Sequence, residues 1–334
     1  MTHRVRQNKK GRESEMEKQD NDIEIKSVAQ FVQGVIKIGT GKYRAKNTFF
    51  RGEADSTWEP KASLLRSDLC NPNESNGDVY VQMEYDMIRE ATKINPSMFD
   101  GCRNSIEKMV VMQHYGLPTR LLDVTTNPLI ALYFACESKS SKDGKVLFVQ
   151  KKPVGEDLAN MIATLCEYYE DSIYESRELW TFLNILKKHH LYGEDMKKEI
   201  VIDLFENITK SFLYVHPYIN ERIKMQSGAF VFSAYMQPIF NKYEYQHFLE
   251  KIGNEGLTEQ EIRSIHFNKV AVSVKNIFNE RRFIIKSRYK KRILKELDLL
   301  GINEASVFPE PEHQMRCVKN TIIMSCMSIR NFNS

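Results

Sequence analysis

The chain has 334 residues, of which 42% are hydrophobic and 28% charged. These are ordinary proportions for a soluble globular protein, and a chain this long buries enough apolar surface to fold without disulfide or metal staples. The formal net charge of +4 permits nucleic-acid binding without arguing for it, and no run approaches the roughly 18 apolar residues that read as a membrane span.

Residues 1–22 are polar and charged and read as a flexible tail. Residues 23–334 read as one domain. Apolar side chains recur at helical spacing over 27–38, with Ser27 as the N-cap. Thr48-Phe49-Phe50 reads as a strand that runs into a turn at Arg51-Gly52-Glu53. Helices are expected over 78–94, ahead of Pro96, and over 104–115, stopped by Gly116 and Pro118. Asn127-Pro128 opens another, with Asn at the cap and Pro at the first helical position. After Gly144 the run Val146–Val149 is a strand candidate. Residues 157–214 read as mostly helical, an insertion or subdomain of three helices, with breaks near Glu170–Asp171 and Gly193–Asp195. Strands are expected at Ala229–Ser233, Val270–Val274 and Phe283–Ile285, and a last helix over 288–300 with Gly301 at its C-terminal cap. Strands dispersed among helices, without regular βαβ alternation, predict an α+β fold with a mixed or antiparallel sheet.

Cys70, Cys102, Cys136, Cys166, Cys317 and Cys326 are scattered and form no C-x-x-C pair, which argues against a zinc ribbon or a disulfide framework. No apolar stretch follows the basic N-terminus as in a secretory leader, so a cytoplasmic protein is expected. The dinucleotide and Walker phosphate loops are absent, as are H-E-x-x-H and G-x-S-x-G. His189 and His190 are adjacent and do not share a helix face, so they make a poor metal pair.

Four stretches carry candidate chemistry. In Phe50-Arg51-Gly52-Glu53, an Arg beside a Gly can fork onto a carboxylate or phosphate, or simply hold a turn by a salt bridge. The block from His114 to Pro128 packs His114, Arg120, Asp123 and several hydroxyls between two helices, and such polar groups need partners, their own or a ligand's. Asp123 can pair there with Arg120 or Arg51. In Arg222–Phe230, Gln226 can bond a sugar hydroxyl or a base edge, or Gly228 can mark a strand-edge bulge. Arg281–Arg292 holds seven basic residues that can track phosphates or form a solvated helix face.

These blocks resemble the FRG-domain family. Phe50-Arg51-Gly52 matches the tripeptide that names it. His114–Ala135, Arg222–Phe230 and Lys290–Pro309 are similar to three further family blocks in the same order, so the resemblance spans roughly 27–320. Val124 stands where the family usually has Trp, and Glu310-Pro311-Glu312-His313 replaces a glycine-rich ending. The block order is also similar to the ADP-ribosyltransferase fold. That similarity implies NAD as substrate and a protein or nucleic-acid target, as in a bacterial toxin or antiphage effector. It puts Arg51, Glu53, Asp123 and Gln226 at the reaction, and Arg51, His114, Tyr115, Thr119, Arg120 and Thr125 around the nucleotide. The alternative is a recognition module without catalysis that binds nucleic acid, with contact at Arg281–Arg292, or a partner protein.

Overall fold

In the computed structural model the residues described are 22–39, 47–66, 77–168, 179–191, 204, 207–216, 221–234, 237–238, 267–268, 277–311 and 313–315. The elements in chain order are β1 (Asp22–Ile25), α1 (Val28–Gly39), β2 (Thr48–Glu53), α2 (Gly77–Ile94), α3 (Ser105–His114), β3 (Leu121–Thr125), α4 (Pro128–Cys136), β4 (Gly144–Gln150), α5 (Glu156–Glu167) and α6 (Leu179–Lys188). Then follow β5 (Phe212–Tyr214), α7 (Glu221–Met225), β6 (Gly228–Phe232), β7 (Gln237–Pro238), β8 (Phe267–Asn268), β9 (Arg282–Ile285), α8 (Ser287–Leu299) and α9 (Glu304–Val307).

The main sheet has seven strands in the order β1-β9-β4-β2-β3-β6-β5, and β7 and β8 form a separate pair. β1 and β9 run parallel and every other pairing is antiparallel. The fold is therefore α+β with a mixed sheet.

The register explains where the helices go. Directly paired residues share a face of the sheet. Phe50 pairs with Phe148, and Val146 with Phe283, so these four share one face. Phe50 also pairs with Thr125, which puts Asp123, Phe230 and Tyr214 on that face too. Two helical packs sit side by side on it. α1, α4 and α8 cover the β1-β9-β4-β2 half around Phe31, Leu132 and Ile293. α2, α3, α5 and α6 cover the β3-β6-β5 half around Ile106, Leu165 and Phe182. The opposite face buries Phe49, Leu122, Val149 and Val231 under the 3-10 turn Ser63–Leu65.

Several expectations need correction. Arg51-Gly52-Glu53 lies inside β2, not in a turn, because all three residues pair with β4. β5 ends the stretch 157–214 as a strand, since Phe212–Tyr214 completes the sheet edge beside β6. Asp22–Ile25 is a further strand. The expected strand Val270–Val274 and the breaks near Glu170–Asp171 and Gly193–Asp195 lie outside the described residues. Among the described residues no helix is long and apolar enough to cross a membrane.

Candidate functional site

β2 pairs with β4 along all six of its residues but with β3 only at Phe50–Thr125. Beyond that pair the sheet splits. A cleft of about 790 Å³ opens there, between the two helical packs. β2 and β3 line it with Arg51, Gly52, Asp123 and Val124; α3 contributes Gln113 and His114; α7 and its end contribute Arg222 and Gln226. The loop after β2 adds Trp58, Lys61 and Arg66.

Glycine makes this arrangement possible. A Cβ on Gly52 would lie 1.9 Å from the Ala131 carbonyl oxygen and 2.7 Å from the Ala135 nitrogen. A Cβ on Gly144 would lie 2.2 Å from the Ala135 oxygen. α4 therefore rests its backbone directly on β2 and β4. Asn127 starts that helix by accepting from the Leu129 amide, with Pro128 in the first turn.

Arg51 bridges the split. Its Nε donates to Glu53 Oε1 at 2.6 Å and its Nη1 to the Asp123 backbone carbonyl at 2.7 Å. Arg51 therefore meets the carbonyl of Asp123, not its carboxylate. The Asp123 side chain is exposed, and its Oδ1 accepts from Gln113 Nε2 at 2.7 Å. Gln113 in turn takes the hydroxyl of Thr119 through Oε1. The relay Thr119–Gln113–Asp123 thus orients the carboxylate from α3. Across the cleft, Thr125 Oγ1 donates to the Gln226 carbonyl at 2.7 Å, and Gln226 Nε2 donates to the Val307 carbonyl at 3.2 Å.

The expected site residues divide. Arg51, Glu53, His114, Asp123, Thr125 and Gln226 line the one cleft, whereas Tyr115, Thr119 and Arg120 are not among its lining residues. Tyr115 is exposed beside His114. Arg120 is 2% exposed and forks onto Glu84, with its Nε 2.8 Å from both carboxylate oxygens. That is a structural pair, and it engages Arg120 away from Asp123. In the basic stretch, Lys290 is buried, which corrects its reading as a surface group. Arg282, Lys286 and Arg292 pair with Asp22, Asp143 and Glu296.

Trp58, Lys61, Arg66 and Gln113 were not singled out by sequence. The signal was a Trp and two cations in a polar loop directly after an Arg-Gly strand. The charged tail that departs from the family ending also packs here. Phe308 stacks on His313 at 4.5 Å and meets Phe134 edge-on at 5.9 Å, and the Arg222 guanidinium sits 5.2 Å above its ring.

The fold and cleft define an α+β protein with a ligand-sized opening in a split sheet. Residues 46–144 match the model of the FRG domain, so the chain carries an FRG domain over the stretch that holds Arg51, Gly52, His114 and Asp123. No curated protein and no solved structure matches the chain.

Proposed function

We propose that this FRG-domain chain binds NAD or a related nucleotide in the split-sheet cleft and transfers ADP-ribose to a macromolecule, as an ADP-ribosyltransferase-like effector. One observation carries the reading. Arg51 with Glu53, Asp123 and Gln226, from three separate stretches of the sequence, all line the same cleft. A toxin or antiphage role is the setting in which such an activity would act.

The chemistry assigns different tasks to the four residues. In the transfer, the bond from ribose C1′ to nicotinamide breaks and its electron pair leaves with the nicotinamide. The target's nucleophile bonds to C1′ and releases its proton to solvent water. Positive charge develops on the ribose, and a nearby carboxylate stabilises it. Asp123 is assigned that role, because it is exposed and held by a neutral amide. Glu53 is already neutralised by Arg51, so it positions the guanidinium. Arg51 clamps the sheet and keeps donors for the pyrophosphate. Gln226 has its amide nitrogen anchored on Val307, which leaves its carbonyl oxygen to accept from a ribose hydroxyl.

The test is pure protein with labelled NAD and mixed protein and nucleic-acid acceptors. Wild type is expected to bind NAD and label an acceptor. Asp123→Asn is expected to bind with similar affinity and to lose roughly 10²–10³ in transfer rate. Absence of NAD binding and of transfer would overturn the reading. The second reading, a recognition module, draws on the mutual satisfaction of the cleft's charges, since Arg51 and Glu53 already pair. It predicts that Arg51→Ala and Asp123→Ala weaken partner binding in a protein with no turnover.

A further inference from the structure

We infer that Trp58 is the stacking platform for the base of the bound nucleotide and that Lys61 and Arg66 take its phosphates. This rests on the nucleotide reading above and deepens it to a named subsite.

The first observation is exposure. Trp58 lines the cleft and is 43% exposed. An indole left half in water within a cleft wall is a face for an aromatic ligand, since base–aromatic stacking takes any base.

The second observation is how firmly its loop is held. Asp55 accepts from both the amide and the hydroxyl of Thr57, at 2.9 and 2.7 Å, and its backbone carbonyl accepts from the Trp58 amide at 3.2 Å. The Ser56 amide donates to the Asp143 carbonyl at 2.6 Å. Lys145 Nζ donates to the carbonyls of Ser56 and Trp58. Lys290 Nζ donates to the Ala54 carbonyl at 2.6 Å. Both lysines are buried, and burial lowers the pKa of each. Burying an ammonium is costly unless it is fully hydrogen-bonded. Two buried ammoniums that grip the carbonyls of one five-residue turn make a rigid mount. At the far end of the loop the Leu64 amide donates to the Thr119 carbonyl at 3.1 Å. The indole is thus presented from a pinned frame, which lowers the ordering cost of binding.

The third observation is charge. Lys61 and Arg66 line the same cleft on the same loop as Trp58. Among the described residues Lys61 pairs with the half-exposed Glu59 at 3.5 Å, a weak contact that a phosphate can displace. An aromatic platform beside two cations matches a base with attached phosphates.

The chain has two tryptophans, so a Trp180→Phe background leaves Trp58 as the only indole emitter. Adenosine, AMP and ADP-ribose are titrated into the full chain, following its fluorescence and the binding heat. Stacking is expected to quench Trp58, and Trp58→Ala to weaken ADP-ribose binding about 10–100-fold. Trp58→Phe is expected to retain most of the affinity, which separates stacking from a folding defect. Lys61→Ala and Arg66→Ala are expected to lower AMP affinity while leaving adenosine nearly unchanged. If ADP-ribose binds wild type but Trp58→Ala binds it equally and no quenching occurs, the platform is wrong and the nucleotide reading stands. If none of the three binds wild type, the nucleotide reading fails and the platform with it.

Discussion

Gly52 decides at a single position whether β2 and α4 can touch. Any side chain there would drive its Cβ into the Ala131 carbonyl at 1.9 Å, and that atom is helix backbone, which yields poorly. Gly52→Ala is therefore expected to destabilise the fold by about 1–3 kcal/mol, the usual cost of overpacking, and to shift the neighbouring Arg51. Urea unfolding with an unchanged m-value would check the first part. The neighbouring Phe50 faces the helical packs and Arg51 the opposite side of the sheet because side chains alternate along a strand, and both border the cleft where β2 and β3 part. The tripeptide thus combines a core anchor, a clamp across the split and a contact point for a helix. The residue types were readable in the sequence. The carbonyl partner of Arg51 was not, because Asp123 is 72 residues away and contributes its backbone.

At the scale of elements, α3 depends on its first turn. Asn104 caps it by accepting from the Glu107 amide at 3.1 Å. The Glu107 carboxylate reaches back to the Arg103 amide at 2.7 Å and to the Arg103 guanidinium, much as in a capping box. Burial pushes the Glu107 pKa up, but the Arg103 hydrogen bonds outweigh it and hold the carboxyl below its usual 4.5. A carboxylate with a depressed folded pKa adds stability above its unfolded pKa and loses it as pH falls through the folded value. Glu107→Gln is thus expected to cost about 1.5–3 kcal/mol at neutral pH. Its deficit against wild type should shrink as pH drops below 4.5. Unfolding curves of both proteins from pH 7 to acid would show this, and a deficit that stays constant would refute it.

At the scale of the whole molecule, the two helical packs meet the sheet on the same face, and the cleft is the gap between them. Arg120 ties the second pack to the sheet. It sits just before β3, forks onto Glu84 of α2 and donates to the Ala234 carbonyl beyond β6 at 3.2 Å. Arg120→Ala leaves Glu84 buried without that partner and is expected to cost about 3–5 kcal/mol in denaturant unfolding. Replacing both with apolar residues of similar volume is expected to recover most of this loss. The C-terminal segment closes the other end, where Gln226 bonds the Val307 carbonyl and Arg222 lies over Phe308.

Local patterns in the chain were enough for most elements. The Asn127-Pro128 start of α4, the left-handed Gly301 after α8 and the apolar run of β4 announce themselves in neighbouring residues. The Phe50-Arg51-Gly52 and His114–Ala135 blocks, which lie in the stretch that matches the FRG-domain model, were also readable in the sequence. Three things needed the tertiary structure. One was that Arg51-Gly52-Glu53 continues a strand, because pairing with β4 overrides the turn preference of glycine. Another was the opposite fates of two arginines, with Arg120 buried on Glu84 and Arg51 set at the cleft. The last was the split between β2 and β3, since it depends on register across strands about 70 residues apart in sequence, which no local pattern encodes.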